Sequence, residues 1–180
     1  MNSIITISRE FGSGGRELGK RLADELGFAY YDREIITALA EETGLNPDYP
    51  AIHHATAELL GKQHRLIQEL AAKGDCVIVG RAADIVLEES HPFNVFVYAD
   101  MESKLVRCKK RAAVDEHLTD KDLIRKIREL DRARAEHHDL LSSTPWGKKE
   151  CYHLCVNTTG KEIKKIVSGV ASYYYAWKQS

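Results

Sequence analysis

The chain has 180 residues, 43% of them hydrophobic and 29% charged, with a formal net charge of −1. That length fits one compact α/β domain over residues 1–180, with room for a small inserted lid, and the apolar share excludes disorder of the whole chain. A charge near zero gives no overall attraction to nucleic acid or to an anionic membrane, so any anion binding has to come from local basic clusters.

The elements follow in chain order. Ser3–Ser8 is a short β-branched run of the kind found in a buried strand. Glycines follow it, and then Leu18, Leu22 and Leu26 recur every four residues, predicting an amphipathic helix that Gly27 stops. Phe28–Tyr31 reads as a second strand ending at Asp32, and Glu34–Glu42 as a helix closing at Gly44. Asn46–Pro50 is a prolyl loop, followed by a long helix from about Ala55 to Lys73. Cys76–Gly80 is an apolar strand, Arg81–Glu89 a short helix and Asn94–Tyr98 another apolar strand. Met101–Ala113 and Thr119–His138 are helices rich in basic residues, Tyr152–Asn157 is a last strand, and Lys161–Trp177 a last helix. Alternating strands and helices, with strands apolar on both faces, imply a parallel sheet covered on both sides.

Other features carry less. Cys76, Cys108, Cys151 and Cys155 form no Cys-x-x-Cys pair, and Cys76 reads as a core filler. Cys151 and Cys155 flank His153 without a second ligand pair, so no metal site is expected. The pairs His53-His54 and His137-His138 read as surface residues. No basic, apolar leader and no run of ~20 apolar residues is present, which leads to the expectation of a cytoplasmic protein.

The chemistry concentrates in Gly12-Ser13-Gly14-Gly15, between a strand and a helix that starts near Arg16. Glycines let successive backbone N–H groups point inward, and the helix N-terminus adds its positive dipole end, which together trap an anion. A plain strand-to-helix turn needs one glycine, not three. The segment departs from the P-loop pattern G-x-x-x-x-G-K-[ST]. Gly15 stands where the lysine belongs, and Arg16 where the magnesium-holding hydroxyl belongs. Arg16 is the expected replacement cation, since a guanidinium suits phosphate oxygens.

Ile7-Ser8-Arg9-Glu10-Phe11-Gly12-Ser13-Gly14-Gly15-Arg16-Glu17-Leu18-Gly19 resembles the opening of the cytidylate-kinase-like family, a divergent branch of the P-loop nucleoside monophosphate kinases. Phe28–Ile36, Cys76–Asp84, Asp131–Ala135, Trp146-Gly147 and Tyr152–Asn157 are similar to later segments of that family in order and spacing. The resemblance implies a P-loop NTPase-type three-layer sandwich, with a five-stranded parallel sheet, helices on both faces and a small helical lid over about 107–139. It implies ATP and Mg2+, small nucleotide substrates, phosphoryl transfer, and no nucleic-acid or membrane partner; a homodimer is left open.

On that resemblance, Gly12, Ser13, Gly14, Gly15, Arg16 and Glu17 would hold the donor phosphates, with Arg16, Arg132 and Arg134 serving the transfer. Arg81 would contact the acceptor phosphate, its other reading being a surface arginine at a helix start, and Asp32, Arg33 and Asp84 complete the expected acceptor side. Asp32 and Asp84 read equally as residues holding hydrated magnesium or as helix N-caps. Arg107 and Arg111 lie on one face of a predicted helix, as lid arginines or as a solvated surface. The connection after Asn46 is short for the family, and Ala38 stands where an acceptor arginine is usual, a role for which Arg33 is the substitute. Two rival expectations remain. One is a nucleotide-binding module without catalysis; the other, ranked below it, is an interaction protein using Tyr173–Tyr175 and Trp177, a cluster that more often marks a helix packed on the core.

Overall fold

The computed structural model describes residues 2–43, 56–111 and 118–179. Along the chain run β1 (Ile4–Arg9), α1 (Gly15–Leu26), β2 (Ala29–Tyr31), α2 (Arg33–Thr43), α3 (Ala57–Ala72) and β3 (Cys76–Val79). They are followed by α4 (Ala83–Val86), β4 (Phe93–Tyr98), α5 (Met101–Arg111), α6 (Asp120–Asp139), β5 (Leu154–Asn157) and α7 (Val167–Lys178). The prolyl stretch Asn46–Pro50 and the pair His53-His54 lie outside the described residues.

The strands form one five-stranded sheet in the order β2-β3-β1-β4-β5, and every pairing is parallel. Period-two alternation divides the core. Ile5 and Ile7 of β1 and Val77 and Val79 of β3 pack with Leu18 and Leu22 of α1 and with Val167, Val170 and Tyr174 of α7. Ile4, Cys76 and Ile78 face the other layer, with Ile35 of α2, Ile67 and Leu70 of α3 and Ala83 of α4. Leu18 and Leu22 are fully buried, and each contributes about 2 kcal/mol by leaving water. β1, β3 and β4 are the apolar strands expected; the edge strands β2 and β5 are only half-buried because each has a neighbour on one side.

Three local readings change. The segment after β3 is not one helix from Arg81: Gly80 (φ +80), Arg81 (φ +62) and Ala82 (φ +50) are all left-handed. That turn delays α4 to Ala83 and shortens it to four residues. Similarly, the last helix begins with a 3-10 turn at Ile163–Lys165, so α7 starts at Val167. His138 is not a surface residue: it is 3% exposed on the inner side of α6.

Register decides what meets at the carboxyl edge of the sheet. Ile7 pairs with Val79 and Tyr31 with Ile78, so Arg9, Asp32 and the Gly80-Arg81-Ala82 turn leave the sheet side by side. Ligands in open parallel α/β sheets bind at this edge. The lid-like region expected over about 107–139 falls on the second half of α5 and on α6, which pack together; 112–117 between them lie outside the described residues.

Candidate active site

β1 ends at Arg9, and Glu10–Gly14 turn the chain into α1. Gly12 (φ +77) and Gly14 (φ +86) hold left-handed angles that cost a side chain about 1–2 kcal/mol each. The turn's carbonyls are taken up by its surroundings. Glu10 O accepts from Ser13 Oγ at 2.8 Å, Gly12 O from Arg107 Nη1 at 3.4 Å and Ser13 O from Thr158 Oγ1 at 2.6 Å. Arg107 Nη2 also donates to Thr158 O (2.6 Å) and Lys161 O (3.0 Å). The N–H groups of Gly12, Gly14, Gly15 and Arg16, by contrast, donate to no partner among the described residues. Free amides at the start of α1 with their carbonyls tied elsewhere make an anion cradle.

Beside the cradle stands a cluster of guanidiniums. Arg16 Nε pairs with Asp32 Oδ2, and Arg9 Nη2 lies 3.9 Å from Asp32 Oδ1. Tyr30 Oη is 3.4 Å from Asp32 Oδ2. Arg134 reaches in from α6, donating to Arg9 O (3.1 Å) and Asp131 Oδ1 (3.4 Å) and stacking 5.5 Å from the Phe11 ring centre. Arg81 has no hydrogen-bond or ion-pair partner among the described residues, although its side chain is largely withdrawn from water.

The guanidiniums strain one another. Burial, helped by Arg134 and Arg16 and opposed by Asp32, brings Arg9 down to about 9. Burial and then the charge of Arg9 bring Arg81 down to about 10. Burial likewise lowers Arg134, with Arg81 and Arg16 acting in the same direction against Asp131 and Asp32. All remain charged at neutral pH. Asp131 serves Lys104 as well as Arg134, so positive charge exceeds negative here, which suits the cluster to an anion.

Several expected residues converge and others do not. Gly12, Ser13, Gly14, Gly15 and Arg16 form the turn and its exit, and Asp32, Arg81 and Arg134 join them. Glu17 stands in the first turn of α1 and pairs with Arg21 at 2.9 Å. Arg33 opens α2, but its side chain is outside the described atoms. Arg132 is exposed on α6 and is not among the groups that perturb Arg9, Arg81 or Arg134. Asp84 is buried and faces His138, Oδ2 to Nε2 at 3.4 Å, away from open solvent.

Sequence reasoning passed over Arg9, Glu10, Lys104, Asp131 and Thr158. Lys104 is buried in α5 with Nζ 2.7 Å from Glu10 Oε2 and 3.5 Å from Asp131 Oδ2, and Asp131 Oδ1 accepts the Phe11 N–H at 2.6 Å. Only Arg9 had a legible signal, since it stands at the first glycine of the P-loop pattern.

On the other side of the turn, an open cavity of about 690 Å³ is lined by Glu17, Ser103, Arg107, Arg111, Thr159 and Ile163 among others. For magnesium the fit is poor. Among the described residues no three His, Cys, Asp or Glu side chains converge, Ser13 Oγ is committed to Glu10 O, and Arg16 replaces the usual hydroxyl.

Comparison with known proteins agrees with this geometry. The pattern of the cytidylate kinase-like family matches residues 4–160. A cytidylate kinase from Ignicoccus hospitalis is 28% identical over 156 residues, covering 79% of this chain and 90% of that protein. The crystal structure of an uncharacterized protein from Eubacterium ventriosum superposes with a TM-score of 0.78 at 24% identity, covering 96% of this chain and 98% of that one. Shikimate kinase from Acinetobacter baumannii, in complex with shikimate, superposes with a TM-score of 0.63 at 16% identity, covering 100% and 96%. At these identities the structural matches speak to the fold alone, which is the P-loop NTPase type. With a family match spanning the sheet, the glycine-rich turn and the arginines around it, the chain belongs to the cytidylate kinase-like family.

Proposed function

We propose that this protein is a nucleotide kinase that transfers the terminal phosphoryl group of ATP to a nucleoside monophosphate of the cytidylate kind. The observation that carries the reading is Arg81: a withdrawn, unpartnered guanidinium on a left-handed turn, beside Arg9 at the carboxyl edge of the sheet. Left-handed backbone at Arg81 and Ala82 is strain that a site-forming turn retains. Arg81, with Asp32 beside it at the sheet edge and Arg33 next to Asp32 in the chain, forms the acceptor side. The cradle takes the donor phosphates, and the cavity against α5 takes the nucleoside half of the donor.

The residues present favour a phosphate acceptor over a neutral hydroxyl. Asp32 is engaged by Arg16 and faces Arg9, which suits it to holding arginines rather than accepting a proton. A phosphate monoester carries about −1.5 to −2 charges at neutral pH and attacks without a general base. Transfer of this kind rests on positioning and charge neutralisation, which the arginines supply. Residues 107–139 act as the lid, Arg134 already reaching the cluster and Arg132 able to join only if α6 moves. ATP brings its own magnesium, held by phosphate oxygens and water.

A coupled assay of ADP release, with ATP, magnesium and a panel of nucleoside monophosphates, shikimate and gluconate, tests the reading. Turnover with a pyrimidine monophosphate is expected. ATP binding without turnover on any acceptor would leave a silent nucleotide-binding module. ATP at 100 times its dissociation constant should stabilise the fold by about 2.7 kcal/mol; no thermal shift would sink both.

A further inference from the structure

The position of the lysine absent from the turn and the arginine at the end of β1 are neighbours in space. In the P-loop pattern the first glycine and the lysine are six residues apart, and here those positions hold Arg9 and Gly15. The two are in contact. A Cβ built on Gly15 would lie 2.5 Å from Arg9 Cβ and 2.8 Å from Arg9 Cγ. The stem of Arg9 therefore fills the space from which a lysine at position 15 would grow. Farther out, the guanidinium lies against Gly80, where a Cβ would collide with Nη1 and lie 2.9 Å from Cζ. Glycine at both places leaves a channel for one long cationic side chain. That channel leads from the turn to Gly80-Arg81 and Asp32, between the donor and acceptor sides of the site.

We propose that Arg9 takes over the role of the P-loop lysine, carrying the cation that meets the transferring phosphoryl group, with Gly15 and Gly80 kept side-chain-free to admit it. This rests on the kinase reading above and corrects its sequence-based choice of cation, Arg16. Arg16 is half exposed and bound to Asp32, whereas Arg9 is 17% exposed, and its ion-pair contact with Asp32 is a long one at 3.9 Å. The role is also chemically suited: a guanidinium keeps its charge when buried and grips two phosphate oxygens at once.

The test is a pair of measurements on five proteins: wild type, Arg9→Met, Arg9→Lys, Gly15→Lys and the double variant Arg9→Gly/Gly15→Lys. Calorimetric titration with ATP and with AMP reads the triphosphate preference, and steady-state ADP release reads turnover. Arg9→Met should lower turnover about 10²–10³-fold, the effect of losing one preorganised charge-stabilising donor, and should weaken ATP at least tenfold more than AMP. Gly15→Lys alone should fail, because the new side chain meets the Arg9 stem. The double variant, which restores the P-loop order, should recover ATP binding and turnover relative to either Arg9→Met or Gly15→Lys.

If Arg9→Met does not fold, the double variant and Arg9→Lys decide. Recovery in the double variant supports the assignment, while an inactive double variant beside a fully active Arg9→Lys, or a double variant no better than Gly15→Lys, overturns it. Unchanged turnover in a folded Arg9→Met also overturns it while leaving the kinase reading intact. Wild-type protein that binds no ATP removes both.

Discussion

Lys104 Nζ lies 2.7 Å from Glu10 Oε2, on a side chain only 7% exposed, so a buried cation in α5 holds the residue that opens the glycine-rich turn. The same ammonium faces Asp131 Oδ2 of α6 at 3.5 Å. Since Asp131 Oδ1 accepts the Phe11 N–H, two helices grip two consecutive residues of the turn through one buried charge network. The glycines supply the shape of the turn, and this network supplies its position.

Replacing Lys104 with Met should therefore be costly. Glu10 would lose its cation and Asp131 would keep only Arg134, and loss of one partner of a buried pair costs about 3 kcal/mol. For a chain of this size that is a fall of roughly 6–12 °C in melting temperature, read by calorimetry. The double variant Lys104→Met/Glu10→Gln should lose less than Lys104→Met alone. A melting temperature unchanged in Lys104→Met would show that the network positions nothing.

Thr158 is fully buried, and its hydroxyl lies 2.6 Å from Ser13 O and 3.2 Å from Tyr98 O. Thr158→Val keeps the shape and orphans the Ser13 carbonyl, at a cost of roughly 1–3 kcal/mol. Urea unfolding should show this as a lower midpoint with an unchanged slope. Because the carbonyl belongs to the turn, ATP affinity should fall as well.

The pair Asp84–His138 predicts a pH dependence. The Asp84 carboxylate facing Nε2 raises His138 above the usual imidazole value, against burial, and Asp139 adds to the rise. For a group raised in the folded state, the stabilisation is complete below the unfolded value of about 6.5 and is lost as pH climbs through the folded one. Stability should thus decline above about pH 6.5 in wild type, and the decline should be absent in His138→Gln. Urea midpoints between pH 5.5 and 9 check it, and an NMR titration placing His138 below 6.5 would refute the coupling.

On α6, Arg134 and Arg132 should behave differently. Arg134 touches Arg9 O, Asp131 and the Phe11 ring, whereas Arg132 is exposed. Arg134→Ala should lower kcat/KM about 10²-fold, the scale of one lost charge-stabilising donor, while Arg132→Ala should stay within about threefold. Equal losses would mean that α6 rearranges in the working enzyme and brings Arg132 inward.

Arg81→Ala should separate the two substrates. Acceptor KM should rise at least tenfold while ATP affinity measured without acceptor stays within about threefold, if Arg81 meets the acceptor phosphate as proposed. Equal loss for both substrates would place Arg81 on the donor phosphates instead.

Much of the frame was legible because it depends on local pattern. β-branched runs forecast β1, β3 and β4, leucines four apart forecast α1, and clustered glycines forecast the turn, each to within a residue or two. The expectation of a helix beginning at Arg81 failed for a reason that composition does not carry: Arg81 and Ala82 adopt left-handed backbone that neither prefers. His138, next to His137 in a polar helix, looked like surface because its partner Asp84 is distant in sequence.

The glycine-rich turn shows where the division falls. The sequence by itself determined that an anion cradle follows β1, since glycine spacing and a helix start are local properties. Which cation serves that cradle was decided only by tertiary structure. In the sequence Arg16 is adjacent and Arg9 looks like the end of a strand. In the fold, parallel pairing of β1 with β3 sets Gly80 beside Arg9, Gly15 clears its stem, and Asp32 draws Arg16 aside. A side chain's direction follows from the space that distant residues leave open, and that space exists only once the sheet has formed.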